Sequence, residues 1–217
     1  MRPLAHVVSY LTHPLAAPTL LLLLYLALDP YAFGAATLAE RLPLIALVAS
    51  SSFFIPGLVV LMMVGLEVIP SARMPEQRHR TLPLLATGML TMGVFAYCRQ
   101  APEVPALYAG LVLGCVVGTF AAFFANLFTK ISLHAVGWGG IAAACLALAS
   151  ALPAAQVSLA GGQLRLGAQV FVVAALLVGG LAGSARLALG AHELRDVLGG
   201  YVVGAAAMLA GVAAWAL

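Results

Sequence analysis

Apolar runs of membrane-crossing length recur along the whole 217-residue chain, at about 15–37, 42–67, 82–98, 104–128, 134–152, 167–186 and 197–217. A helix rises about 1.5 Å per residue, so about 20 apolar residues cross the roughly 30 Å hydrocarbon core of a bilayer. The connections are too short to hold a soluble domain, and residues 1–217 read as a single membrane domain. Only 8% of the residues are charged and 64% are hydrophobic, whereas a soluble domain carries roughly a quarter charged residues. Lipid is therefore the expected solvent. The expected fold is all-α, a polytopic helix bundle of six or seven spans, because backbone in hydrocarbon must satisfy its own hydrogen bonds. The first run sets the uncertainty in number. Its purely apolar part lies between Pro14 and Pro30, with Asp29 inside the nominal span. Arg2 followed by Leu15 to Leu28 has the look of a signal-peptide core, but six further runs follow, so it reads as a retained first segment.

The net charge is +3, yet the basic residues sit in short connections and not in a tail. Anionic lipid or phosphate suits that placement better than nucleic acid does. Cys98, Cys115 and Cys145 lie in or beside apolar runs without metal-ligand spacing, and they read as buried small hydrophobes. Glycine and alanine crowd the later runs, as at Gly179-Gly180 and Gly200 to Gly204, a pattern that favours close helix packing.

The connections differ in character. Segments 38–41, 99–103 and 153–166 are poor in charge. Segments 68–81, 129–133 and 187–196 hold Arg73, Arg78, His79, Arg80, Lys130, His192, Arg195 and Asp196, with His134 and Arg186 at their edges. Two spans separate each polar segment from the next, so all three are expected on one face of the membrane. Ionisable groups beside hydrocarbon are costly, and their convergence points to function. Taken singly, an Arg or Lys at a span end is as readily a snorkelling anchor.

The third polar segment is the most informative. His192 and Asp196 are four residues apart, on one face if that stretch is helical. The carboxylate would then hold the imidazole in one tautomer. Arg186 lies six residues earlier, and Gly190 offers a break that brings the guanidinium back beside the ring. A guanidinium, an oriented imidazole and a helix start together suit a phosphate.

Arg186, His192 and Asp196, as Arg-x5-His-x3-Asp, resemble the third signature of the type 2 phosphatidic acid phosphatase (PAP2) superfamily. The Ser that directly precedes the Arg in that family stands one position further off here, as Ser184. Ile131-Ser132-Leu133-His134 is similar to the second signature, Pro-Ser-Gly-His, with Ser and His in place and Pro and Gly absent. Arg73-x6-Arg80 keeps the spacing of the first signature, Lys-x6-Arg-Pro, with Arg for Lys and with Pro83 three residues late. The order of the blocks agrees, and the resemblance covers about residues 73 to 204.

The resemblance implies a PAP2-like core and a lipid phosphate or diphosphate phosphatase that needs no metal or other cofactor. His192 would form a phosphohistidine, Asp196 would orient it, and His134 would be the acid and base. Arg80, Arg186 and Ser132 would bind the phosphoryl oxygens. Lys130 or Arg73 would stand in for the missing first-block Lys, and Lys130 reads equally as an interfacial anchor. The expected partners are a lipid phosphate entering from the bilayer and the membrane lipids themselves, with no nucleic acid. A bacterial inner membrane is the expected location, and loop charge assigns the active face to neither side. A lipid-phosphate binder or transporter and a phosphotransferase would use the same residues.

Overall fold

The computed structural model describes residues 2–72, 74, 76–159 and 164–215. Arg73, one of the expected phosphate ligands, lies outside the described residues, as does Pro75. The fold is an all-helical bundle. Among the described residues, seven helical stretches are long and apolar enough to cross a membrane. The chain is accordingly an integral membrane protein.

The first stretch begins much earlier than residue 15. Helix α1 spans Arg2–Leu11 and α2 spans Ala17–Leu28, joined through a single 3-10 turn at Pro14–Ala16. The stretch also ends before 37, because Asp29 stops it. The Asp29 carboxylate accepts from the Ala32 amide at 3.1 Å and so caps the turn that follows, outside the helix. The second stretch runs through α3 (Leu42–Ala49), a π turn (Ser50–Phe54) and α4 (Ile55–Gly65). Pro56 lacks an amide proton, and a π-bulge immediately before it is one way a helix absorbs that gap. After a 3-10 turn at Gln77–Arg80 come α5 (Thr81–Cys98), α6 (Ala106–Phe128) and α7 (Leu133–Ala151). The connection after α7 is not a plain loop: β1 (Gln156–Leu159) pairs antiparallel with β2 (Leu164–Gly167). Helices α8 (Ala168–Ala188) and α9 (Leu194–Trp215) complete the bundle.

Glycines set the spacing between α7 and α9. A Cβ at Gly204 would collide with the Val136 carbonyl, and one at Gly139 with the backbone of Tyr201. Backbones that approach this closely gain dispersion contact in a solvent that offers no hydrophobic drive. The apolar core gathers Leu21, Leu22, Tyr25 and Leu26 of α2 with Tyr108, Leu111 and Val112 of α6 and Leu148 of α7. The Tyr108 hydroxyl donates to the Pro18 carbonyl at 3.0 Å. Trp138 Nε1 donates to the Thr12 carbonyl at 3.0 Å. These two bonds pin the first stretch to the bundle. Large apolar side chains such as Leu176, Leu177 and Leu181 of α8 face outward, as a lipid solvent permits. Cys98 and Cys145 are buried and Cys115 is half-buried, all as free thiols.

Candidate functional site

The three polar segments meet. The Ser132 amide, ahead of α7, donates to the Asp196 carbonyl in α9 at 3.2 Å. Arg80, ahead of α5, reaches the Ile131 carbonyl at 3.4 Å. Gly200 packs where a Cβ would lie 2.7 Å from the Ala135 Cβ and 2.8 Å from the Ser132 carbonyl. Absence of that Cβ lets the start of α7 sit directly on α9.

Helix α8 ends in a Schellman turn. The Gly190 amide donates to the Leu187 carbonyl at 2.9 Å and the Ala191 amide to the Arg186 carbonyl at 3.1 Å. Gly190 has φ +63°, the left-handed conformation that this turn requires and that glycine adopts without strain. The chain reverses there, and the charge of Arg186 acts on the His192 ring six residues on.

His192 Nδ1 lies 3.3 Å from Asp196 Oδ2, with both side chains buried. The same oxygen accepts from the Glu193 amide at 3.1 Å, which is the side-chain half of a capping box at the start of α9. An ionised carboxylate accepts only, so Nδ1 carries the ring proton and Nε2 keeps its lone pair. Burial, the nearby Arg80 and, more weakly, Arg186 and Lys130 lower the imidazole pKa to about 4, against the raising effect of the Asp196 bond. The ring is therefore neutral at physiological pH.

Arg80 is only 5% exposed. Its Nε donates to the Met74 carbonyl at 3.0 Å, and Met74 itself is held at φ 43°. Asn126, buried at the end of α6, clamps the same loop: its amide donates to the Gln77 carbonyl at 2.9 Å, and Gln77 donates back to the Asn126 carbonyl. Arg186 donates through a terminal nitrogen to Ser9 Oγ at 2.9 Å, while its Nε is buried without a hydrogen-bond partner. Among the described residues neither guanidinium forms an ion pair, since the ion pairs there belong to Arg78, Arg195 and His192. Two under-neutralised cations in a partly buried place call for an anion.

A cavity of about 1130 Å³ joins these groups. Arg80, Lys130, His134, Arg186 and His192 line its polar end. Thr91, Gly114, Cys115 and Met208 line it further in. At 1.5 Å per residue, Cys115 lies roughly 20 Å along α6 from the end that meets the polar segments. Among the described residues no three His, Cys, Asp or Glu side chains gather as a metal cluster.

Of the expected site residues, His192, Asp196, His134, Arg80, Arg186 and Lys130 come together. Ser132 is placed differently. It is wholly buried, its hydroxyl accepts from the Ala135 amide at 3.4 Å as the cap of α7, and it does not line the cavity. Its place is explained by capping, with its amide already given to Asp196. Among the cavity-lining residues that were not anticipated are four of the N-terminal stretch, Arg2, His6, Ser9 and His13. His134 Nε2 lies 2.9 Å from the Ser9 carbonyl. The His13 ring meets that of His134 edge-on at 5.7 Å. The four recur at helical spacing on one face of α1 and its extension, a pattern readable in the sequence.

The chain matches no protein-family model, no curated protein and no solved structure in the three comparisons made with it.

Proposed function

We propose that this protein is a divergent PAP2-type phosphatase of lipid phosphates or diphosphates, set in a bacterial inner membrane. The observation that carries the reading is a neutral imidazole, His192, oriented by Asp196 and facing the same cavity as two guanidinium groups that have no carboxylate partner among the described residues. The apolar continuation of the cavity suits the chain of a lipid, and its polar end suits the phosphate.

His192 Nε2 attacks phosphorus, forming a P–N bond while the P–O bond to the lipid breaks. His134 takes the proton of the substrate's P–OH group and passes it to the departing oxygen. Water then attacks the phosphohistidine, His134 recovers a proton, and the P–N bond returns its electrons to His192. Asp196 balances the charge that grows on the ring during attack. Arg80, Arg186 and Lys130 meet the charge that spreads over the phosphoryl oxygens.

The test is phosphate release by purified protein from phosphatidic acid and from a polyprenyl diphosphate, with His192→Ala as control. Release by the wild type and none by the variant is expected. Binding of these lipids without release would instead support a lipid-phosphate binder, and a phosphorylated acceptor in place of free phosphate would mark a phosphotransferase.

A further inference from the structure

We propose that Ser9, on the N-terminal helix α1, is a positioning residue of this site, holding His134 and Arg186 in register with each other. The inference rests on the phosphatase reading above and extends the site to an element outside the three polar segments.

Ser9 is buried, and it touches both groups with different atoms. Its carbonyl lies 2.9 Å from His134 Nε2 and its hydroxyl oxygen 2.9 Å from a terminal nitrogen of Arg186. The hydroxyl oxygen also lies 3.3 Å from His134 Nε2. A carbonyl only accepts, so Nε2 carries a proton and Nδ1 is the nitrogen left for proton exchange with substrate. This is the mirror of His192, whose Nδ1 is held by Asp196 and whose Nε2 has no hydrogen-bond partner among the described residues. The two imidazoles thus have separate orienting partners, one a carboxylate in α9 and the other a backbone carbonyl in α1.

The hydroxyl of Ser9 is the only side-chain partner given to Arg186 among the described residues. It fixes the direction of a planar donor whose remaining N–H groups then meet phosphoryl oxygens. Helix α1 is built to dock this way. Ala5, Ser9 and Thr12 are buried on one side, while Leu4, Val7 and Leu11 are exposed on the other. Losing the hydroxyl frees the guanidinium to rotate without removing it, so the loss falls on anion affinity and turnover more than on folding.

The experiment uses the full chain, solubilised in detergent, as wild type, Ser9→Ala and Ser9→Thr. It measures orthovanadate affinity by calorimetry and kcat/KM on phosphatidic acid, with the thermal midpoint as a folding check. Ser9→Ala is expected to weaken orthovanadate binding about tenfold or more, the scale of one hydrogen bond to a charged group, with a parallel loss in kcat/KM. Ser9→Thr keeps the hydroxyl and is expected to restore wild-type affinity. In the unliganded wild type, nitrogen-15 shifts are expected to show His134 protonated at Nε2. Unchanged or tighter binding by Ser9→Ala overturns the proposal, as does a His134 protonated at Nδ1 alone. A wild type that binds no orthovanadate overturns the anion-site reading and this inference with it.

Discussion

His192 Nδ1 and Asp196 Oδ2 stand 3.3 Å apart across the first turn of α9, and the same oxygen caps that helix by accepting from the Glu193 amide. One carboxylate therefore does two things: it starts the helix and it selects the ring nitrogen exposed to the cavity. The geometry of the imidazole is then only as loose as the helix end.

Acidity should affect turnover late. With the His192 pKa lowered to about 4, the ring stays unprotonated through the weakly acidic range. On its acid side, kcat/KM should hold until pH falls toward about 4 and drop below it as His192 is protonated. Arg80 is the largest charge pushing that pKa down, after burial itself. Arg80→Ala should lower the rate and also move the acid limb upward, toward neutrality. A limb that stays in place in the variant contradicts the proposed pairing.

Lys130 lines the cavity and acts electrostatically on His192, which favours a site role over that of an anchor. Lys130→Ala should cost about 10²-fold in turnover on phosphatidic acid, the scale of one electrostatic contact made in the transition state. Loss of less than about threefold would return Lys130 to the role of an interfacial anchor.

The α7–α9 contact should tolerate no side chain beneath the site. Gly200→Leu would force atoms into the Ala135 Cβ and the Ser132 carbonyl. A destabilisation of about 1–3 kcal/mol is expected, read as a lower thermal midpoint in detergent, with turnover reduced alongside. Gly199 has nothing within 4 Å of its added Cβ, so Gly199→Ala is the matched control and should behave as wild type.

The parts of the site that were legible in the sequence are those set by local spacing. His192 and Asp196 meet because they are four apart, although α9 begins only at Leu194 and His192 stands ahead of it, and Gly190 breaks α8 because only a glycine meets its φ of +63° cheaply. The spans were legible because hydrocarbon demands length. Helix α1 was not read in that way, because at ten residues it is too short to register as a span. Its site role depends on contacts 125 and 177 residues distant in sequence, to His134 and Arg186. The cap role of Ser132 was not read for a related reason: a serine ahead of a helix serves equally as a cap or as an anion ligand, and its place shows only in the structure. The hairpin of β1 and β2 was missed because residues 153–166 are too few and too mixed to show a strand period.

The central claim is that His192 becomes covalently phosphorylated. Purified protein is mixed with phosphatidic acid carrying radioactive phosphorus, quenched in alkali, where a phosphohistidine survives, and digested for peptide mapping. Wild type should carry the label on His192, and His192→Ala should carry none and release no phosphate while keeping its thermal midpoint. Phosphate release by His192→Ala at the wild-type rate, or wild-type turnover with the label on another residue, would contradict the account.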